Sequence, residues 1–164
     1  MILVTVGTTP LGFERLVKKM DEIAGRLNEE VIMQIGGTKY IPKNARWYTY
    51  IDNEKMSEFY NEANIIIAHD GAGTLLMTLI LNKPTIVVPR LKKYYECDYE
   101  NKFDLAEALK DMNRVIVVYD IEKLEESIEG AKSLKYGKFT QNKKLISFLK
   151  DYIKELDEGI KSGI

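Results

Sequence analysis

His69, the only histidine in the chain, closes an apolar run and leads directly into Asp70-Gly71-Ala72-Gly73-Thr74. The surrounding stretch, IIIAHDGAGTLLMTLILNKPTIVVPR from Ile65 to Arg90, reads as a buried strand ending in His69 and a glycine turn at Gly71 to Gly73. A helix opening at Thr74 and a second buried strand ending at Pro89 follow. A strand-to-helix turn of this kind offers free backbone N–H groups and the positive end of a helix dipole to an anion, most often a phosphate. The expected ligand is therefore a nucleotide or nucleotide-sugar. The His69 imidazole could hydrogen-bond a phosphate, with N–H groups around Gly73 and Thr74 completing the cradle. A lone histidine can also serve packing alone, but the end of a strand running into a glycine turn is a poor place for that. Asp70 would repel the same phosphate if it pointed inward, so it is expected to face away or to orient a neighbour.

Gly7-Thr8-Thr9 follows the first apolar run. There a small residue lets backbone approach a ligand and two hydroxyls can donate to oxyanions, although a plain turn is an equally open reading. Gly36-Gly37 after the second run is weaker. Neither matches the Walker P-loop or the dinucleotide fingerprint, which argues against an ATPase and against NAD. The serines at 57, 127, 133, 147 and 162 do not sit in a strand-to-helix nucleophile turn, so a serine hydrolase has no support. The single Cys97 cannot form an internal disulfide and reads as an ordinary loop thiol, and cysteine and histidine nowhere cluster at metal-ligand spacing. No metal and no cofactor are expected.

The elements that must position these residues alternate between short apolar runs and segments of helical period, the pattern of a parallel sheet covered on both faces. Strands are predicted at Ile2 to Val6, Val31 to Ile35, Trp47 to Ile51, Ile65 to Ala68, Thr85 to Val88 and Val115 to Val118. Between the first two, Phe13, Leu16, Val17, Met20, Ile23, Ala24 and Leu27 repeat at helical spacing. Met56, Phe59, Tyr60 and Ala63 mark a second helix, and Leu75, Leu76, Leu79 and Ile80 a largely buried third, stopped before Pro84. Further helices are predicted over Asn101 to Lys110, Ile121 to Ala131 and, at the end, about Gln141 to Glu158. On that last helix Leu145, Leu149, Tyr152, Ile153 and Leu156 form a core-like stripe that Phe148 and Ile160 could widen into a docking edge. The fold class is α/β, a doubly wound parallel sheet of about six strands, with ligands expected outside the carboxyl ends of the strands. Gly7, Gly36, Gly37, Ile51 and His69 all fall at such ends.

With 164 residues, 45% of them hydrophobic, the chain can bury one good core, and a single domain over 1–164 is expected. Lys plus Arg and Asp plus Glu nearly cancel, 24 against 25, so no global field advertises nucleic acid as a partner. Six lysines and no acid between Lys132 and Lys150 form either a solvated face or a basic patch able to approach an anionic surface. The absence of a long apolar run and the cysteine usage point to a cytoplasmic protein, brought to any membrane by something else.

In their order and spacing, VTVGTTPLGFERLVKKMDEIA, VIMQIGGTKY, the Trp47 to Asp52 segment and HDGAGTLLMTLILNKPTIVVPR resemble the donor-binding half of GT-B glycosyltransferases of family 28. The resemblance is nearest to its stand-alone versions: the small subunit of the eukaryotic two-part UDP-N-acetylglucosamine transferase acting on dolichol-linked GlcNAc, and bacterial PssE-type subunits. It is more distant to MurG. It implies a Rossmann-like domain that binds a UDP-sugar as substrate, of the GlcNAc or galactose class. It also implies a membrane-anchored partner subunit that holds a lipid-linked, polyprenyl-type glycan acceptor and supplies the catalytic base. By position, Tyr50 and Ile51 would meet the uracil, Gly7, Thr8 and Thr9 would border the diphosphate, and His69 with Gly71, Ala72, Gly73 and Thr74 would hold the phosphates. Two departures stand out. The family usually carries a ribose-binding glutamate three residues after Thr74, where this chain has Met77, and a His-Gln pair where Asn101 and Lys102 stand. Asn101, Lys102, Glu96 or Glu100 would then have to compensate. Otherwise the donor is not a typical UDP-sugar, or the domain is an interaction or regulatory module with a degraded donor site, or a nucleotide-binding or epimerase-like domain that needs no acceptor partner.

Overall fold

The computed structural model describes residues 1–98 and 104–133. Six parallel strands form one sheet: β1 (Ile2–Thr5), β2 (Val31–Gln34), β3 (Arg46–Tyr48), β4 (Ile65–Ala68), β5 (Thr85–Val87) and β6 (Ile116–Val117), in the order β3-β2-β1-β4-β5-β6. Among the described residues five α-helices accompany them: α1 (Glu14–Ala24), α2 (Asn53–Glu62), α3 (Ala72–Ile80), α4 (Asp104–Asp111) and α5 (Leu124–Ser133). The expected doubly wound α/β fold is thus the one observed. β3 sits a little earlier than predicted, so Tyr50 and Ile51 lie in the loop beyond it.

Alternation along the strands assigns the two faces. Ile2, Val4, Val6, Val31, Met33, Ile65, Ile67 and Ile86 pack with Phe13, Leu16, Met20 and Ile23 around α1 and with Leu124 and Ile128 of α5. On the opposite face Leu3, Ile32 and Ile66 meet Phe59 and Tyr60 of α2, while Val87 meets Leu75 of α3 and Leu109 of α4. Strands buried on both faces must read as continuous apolar runs, which is why IIIA and VIM were recognisable. Helix α3 departs from expectation. Leu75 is fully buried, but Leu76 and Ile80 are each about half exposed, at 53% and 51%, because only a narrow stripe of α3 touches the sheet.

Registers align the strand ends: Thr5 stands opposite Gln34 on one side and Ala68 on the other, and Ala68 opposite Val87. Because β1 is flanked by β2 and β4, the chain winds outward in opposite directions from the β1/β4 pair. That is the switch point at which the loops diverge and leave a crevice. The loop after β1 and the turn after β4 flank it.

Between β2 and β3 there is no helix. Asp21, buried on α1, organises that connection instead: its carboxylate accepts hydrogen bonds from the Tyr40 hydroxyl (2.7 Å) and from the backbone N–H groups of Lys43 (2.9 Å) and Asn44 (2.7 Å). Burial works against its charge, and these donors together outweigh burial and hold its pKa below the ordinary value. Asp21→Ala would strand these donors and is expected to cost about 3 kcal/mol in chemical denaturation. The wild-type contribution is present above the unfolded-state pKa near 4 and is lost as pH falls through the depressed folded value, so the difference between the two proteins should narrow in acid.

Candidate functional site

A cavity of about 330 Å³ opens at the β1/β4 switch point, walled by Thr9, His69, Gly71, Ala72, Arg90 and Cys97 among others. His69 is its pivot. Its Nδ1 accepts the Gly71 N–H at 3.1 Å, which places the ring proton on Nε2. The ring lies so close to two glycines that neither could carry a side chain. A Cβ on Gly7, whose φ is +77°, would fall 2.5 Å from Nε2, and one on Gly71 would fall 2.1 Å from Cε1. Burial, with a smaller contribution from the Arg90 charge, lowers the His69 pKa to about 4. The imidazole is therefore a neutral N–H donor at any physiological pH, and Nε2 has no partner among the described residues.

Helix α3 opens at Ala72, two residues earlier than predicted, with Gly71 as an N-cap that provides no side-chain hydrogen bond. Ala72, Gly73 and Thr74 thus form its first turn, the part of a helix whose N–H groups lack intrahelical partners. A Cβ on Gly73 would meet nothing within 4 Å, so the protein itself supplies no steric reason for glycine there. The Thr74 side chain lies beside the buried Tyr60 phenol, and its backbone N–H belongs to the first turn of the helix.

Other predicted residues fall differently. Thr9 lies on the cavity wall, whereas Thr8 is exposed and away from it. Gly7 serves the histidine ring, and its own N–H and C=O are engaged by the buried Gln34 side chain at 3.2 and 2.8 Å. Tyr50 and Ile51 share the sheet edge but not the cavity wall. Tyr50 is exposed, and Ile51 packs against the α2 side of the core. Asp70 lies along the wall instead of turning away, close enough for its charge to act on Arg90 and Tyr119. Glu96 is not free to compensate for Met77, because it accepts a bidentate pair from Arg15 (3.0 and 2.9 Å) and the Leu91 N–H (2.9 Å). Asn101, Lys102, Glu100 and the predicted terminal helix lie outside the described residues.

Sequence reasoning missed Arg90 and Gln34. Arg90 is buried and donates from Nη1 to the carbonyls of Leu11 (3.3 Å), Gly12 (3.0 Å) and Glu96 (2.9 Å), and from Nη2 to that of Val6 (2.9 Å). Its guanidinium stacks 4.6 Å from the Phe13 ring centroid. The signals were present: a charged residue directly after an apolar strand, and a glutamine inside the run VIMQI. Among the described residues no group of His, Cys, Asp and Glu is arranged to hold a metal ion, and no helix is long and apolar enough to cross a membrane.

The single imidazole resonance of the protein gives a direct check. It is expected to stay in the neutral form from pH 8 down to about 5 and to titrate near 4, where a solvent-exposed histidine would titrate near 6.5. Because folding depresses this pKa, the associated stability is complete above pH 6.5 and falls as the pH drops towards 4. A midpoint near 6.5 would contradict the buried, tautomer-fixed ring.

No curated protein sequence matches the chain. Among solved structures it is similar to the glycotransferase of kitacinnamycin (15% identity, TM-score 0.63, covering 81% of this chain and 34% of that one). It is likewise similar to the calicheamicin glycosyltransferase CalG4 (15%, 0.63, 80% and 34%) and to Acinetobacter baumannii MurG (18%, 0.55, 79% and 40%). The chain therefore spans between a third and two fifths of the length of these proteins, and at such identities the likeness is one of fold, the Rossmann-like half of a GT-B glycosyltransferase. The model of the glycosyltransferase family 28 C-terminal domain matches residues 1–156, almost the whole chain, and the protein belongs to that family.

Proposed function

We infer that the domain binds a nucleoside-diphosphate sugar of the UDP-sugar class at the switch-point cavity, as the donor half of a glycosyltransferase. In this reading a membrane-anchored partner subunit holds a polyprenyl-linked acceptor, and the sugar is of the GlcNAc or galactose class. One observation carries the reading. A neutral histidine donor and the uncapped first turn of α3 converge on one cavity, a combination suited to phosphate oxygens even with Asp70 on the same wall. A protonated histidine would bind phosphate more strongly at rest. A neutral one instead offers a hydrogen bond that strengthens as negative charge accumulates on the leaving group.

The chemistry would be direct displacement at the anomeric carbon. The acceptor hydroxyl oxygen forms the new bond to that carbon as its bond to the β-phosphate oxygen breaks, and UDP departs with the electron pair. The hydroxyl proton passes to a base supplied by the partner subunit. His69 Nε2–H and the N–H groups of the α3 first turn would stabilise the developing charge without reorganising, the electrostatic strategy that most lowers such barriers.

Calorimetric titration with UDP, UDP-GlcNAc and UDP-galactose tests this reading. His69→Ala is expected to weaken binding by about ten- to a hundredfold, the worth of one hydrogen bond to a charged group. Absence of heat at millimolar ligand, with and without the partner, would sink the donor assignment.

A second reading has its own support. Met77 on α3 offers no acceptor for ribose hydroxyls, and Glu96 is already committed to Arg15, as expected of a half-domain kept for interaction after its donor site decayed. In that case His69→Ala and Thr74→Ala would leave glycan assembly intact, while substitutions within residues 141–158 would disrupt it; the opposite pattern rejects it.

A further inference from the structure

A larger cavity, of about 820 Å³, adjoins the first and shares Leu11 and Glu96 with it. Its walls come from the loop between β1 and α1, from Gly37 and Lys39 after β2, and from the segment Lys93 to Glu96 after β5. The carboxylates on these walls are already engaged. Glu14 accepts the backbone N–H groups of Lys39 (2.7 Å) and Tyr40 (3.3 Å), and Glu96 is taken by Arg15 and Leu91. The cations are not engaged in the same way. Neither Lys39 nor Lys93 has a carboxylate partner among the described residues, and Lys93 Nζ lies 4.9 Å from the centroid of the Tyr94 ring. Arg15, whose guanidinium is 5.1 Å from the same centroid, keeps Nη1 buried with no hydrogen-bond partner. Tyr94 is half exposed, and Tyr95, 89% exposed, is held in the left-handed region at φ 58°.

This chemistry narrows the occupant. A purely apolar ligand would desolvate two ammonium groups without pairing them, which is costly. A cation would be repelled. A nucleic acid would need an extended basic stripe, and the chain has a net charge of −1. What fits is a compact molecule with phosphate oxygens for the lysines and a sugar ring for the tyrosine face, whose apolar C–H groups pack against the ring carbons.

We propose that this cavity is an acceptor subsite: it receives the phosphate-bearing, sugar-containing head of the molecule that accepts the glycosyl group, with Lys39 and Lys93 on its phosphates and Tyr94 along its sugar. The inference rests on the adjoining cradle being the donor site. The shared ridge of Leu11 and Glu96 then sets the acceptor beside the donor's diphosphate, and the donor half contributes directly to acceptor recognition.

The test uses the full chain saturated with UDP and titrated with a water-soluble ten-carbon prenyl diphosphate carrying N-acetylglucosamine. Inorganic pyrophosphate and phosphatidylglycerol vesicles are run in parallel. The probe is expected to bind, and the double variant Lys39→Ala/Lys93→Ala to weaken it about tenfold, equivalent to ~1.4 kcal/mol, with the UDP affinity and melting temperature unchanged. Undiminished binding by the double variant, no binding by the wild type, or displacement of the probe by UDP would overturn the proposal. So would equal affinity for inorganic pyrophosphate, or lysine-dependent binding to the vesicles alone. Failure of UDP to bind strikes the donor reading instead, and the same titration without UDP still shows whether the lysines hold the probe.

Discussion

The guanidinium of Arg90 holds the loops at the carboxyl edge of the sheet in one arrangement. Four carbonyls, from Val6, Leu11, Gly12 and Glu96, accept its hydrogen bonds, so the connection leaving β1 and the segment leaving β5 are fastened to the same planar fork. Lysine, with a single ammonium, could not span these acceptors at once. Burial opposes the Arg90 charge most strongly, and the carbonyl dipoles with Glu96 and Asp70 nearby favour it. Glu96 in turn is held by Arg15 from α1, whose Nη2 also reaches the Pro89 carbonyl at 2.8 Å. Helix, strand end and loop are thereby tied into one polar cluster above an otherwise apolar sheet.

That cluster also sets the character of the histidine beside it. Burial and, to a smaller extent, the permanent positive charge nearby disfavour protonation of His69, so the ring keeps one proton and one orientation. The Gly71 N–H selects the tautomer. The two cavities differ accordingly: the smaller presents a neutral imidazole donor and a helix end beside the Asp70 carboxylate, the larger presents ammonium groups and aromatic faces. Both depend on loops that Arg90 fastens.

Much of the fold was legible because burial on both faces leaves a strong signature. β4 was located to the residue, and the parallel, doubly wound architecture followed from apolar runs alternating with helical periods. Helix α3 was misjudged in burial and in its start. Leu76 and Ile80 read as core because they are leucine and isoleucine, but periodicity cannot tell how wide a stripe the sheet will cover. The start at Ala72 was hidden because glycine and alanine in a turn look like loop. At the site, the glycines and His69 stood out by type and position, whereas Arg90, Arg15 and Gln34 act through contacts spanning 27 to 84 residues of sequence. No local pattern encodes such pairings. Tyr50 and Ile51, named by resemblance, lie in the loop after β3 at the same edge of the sheet.

The wedging of the His69 ring between Gly7 and Gly71 has a thermodynamic consequence. An imidazole with a fixed rotamer and a fixed tautomer has given up its conformational freedom during folding, so no side-chain entropy remains to be lost when an anion arrives. The glycines carry that cost in the unfolded chain, where their backbone is loosest. An anion bound at this end of the sheet would thus meet a preorganised donor, at the expense of the stability of the fold that houses it.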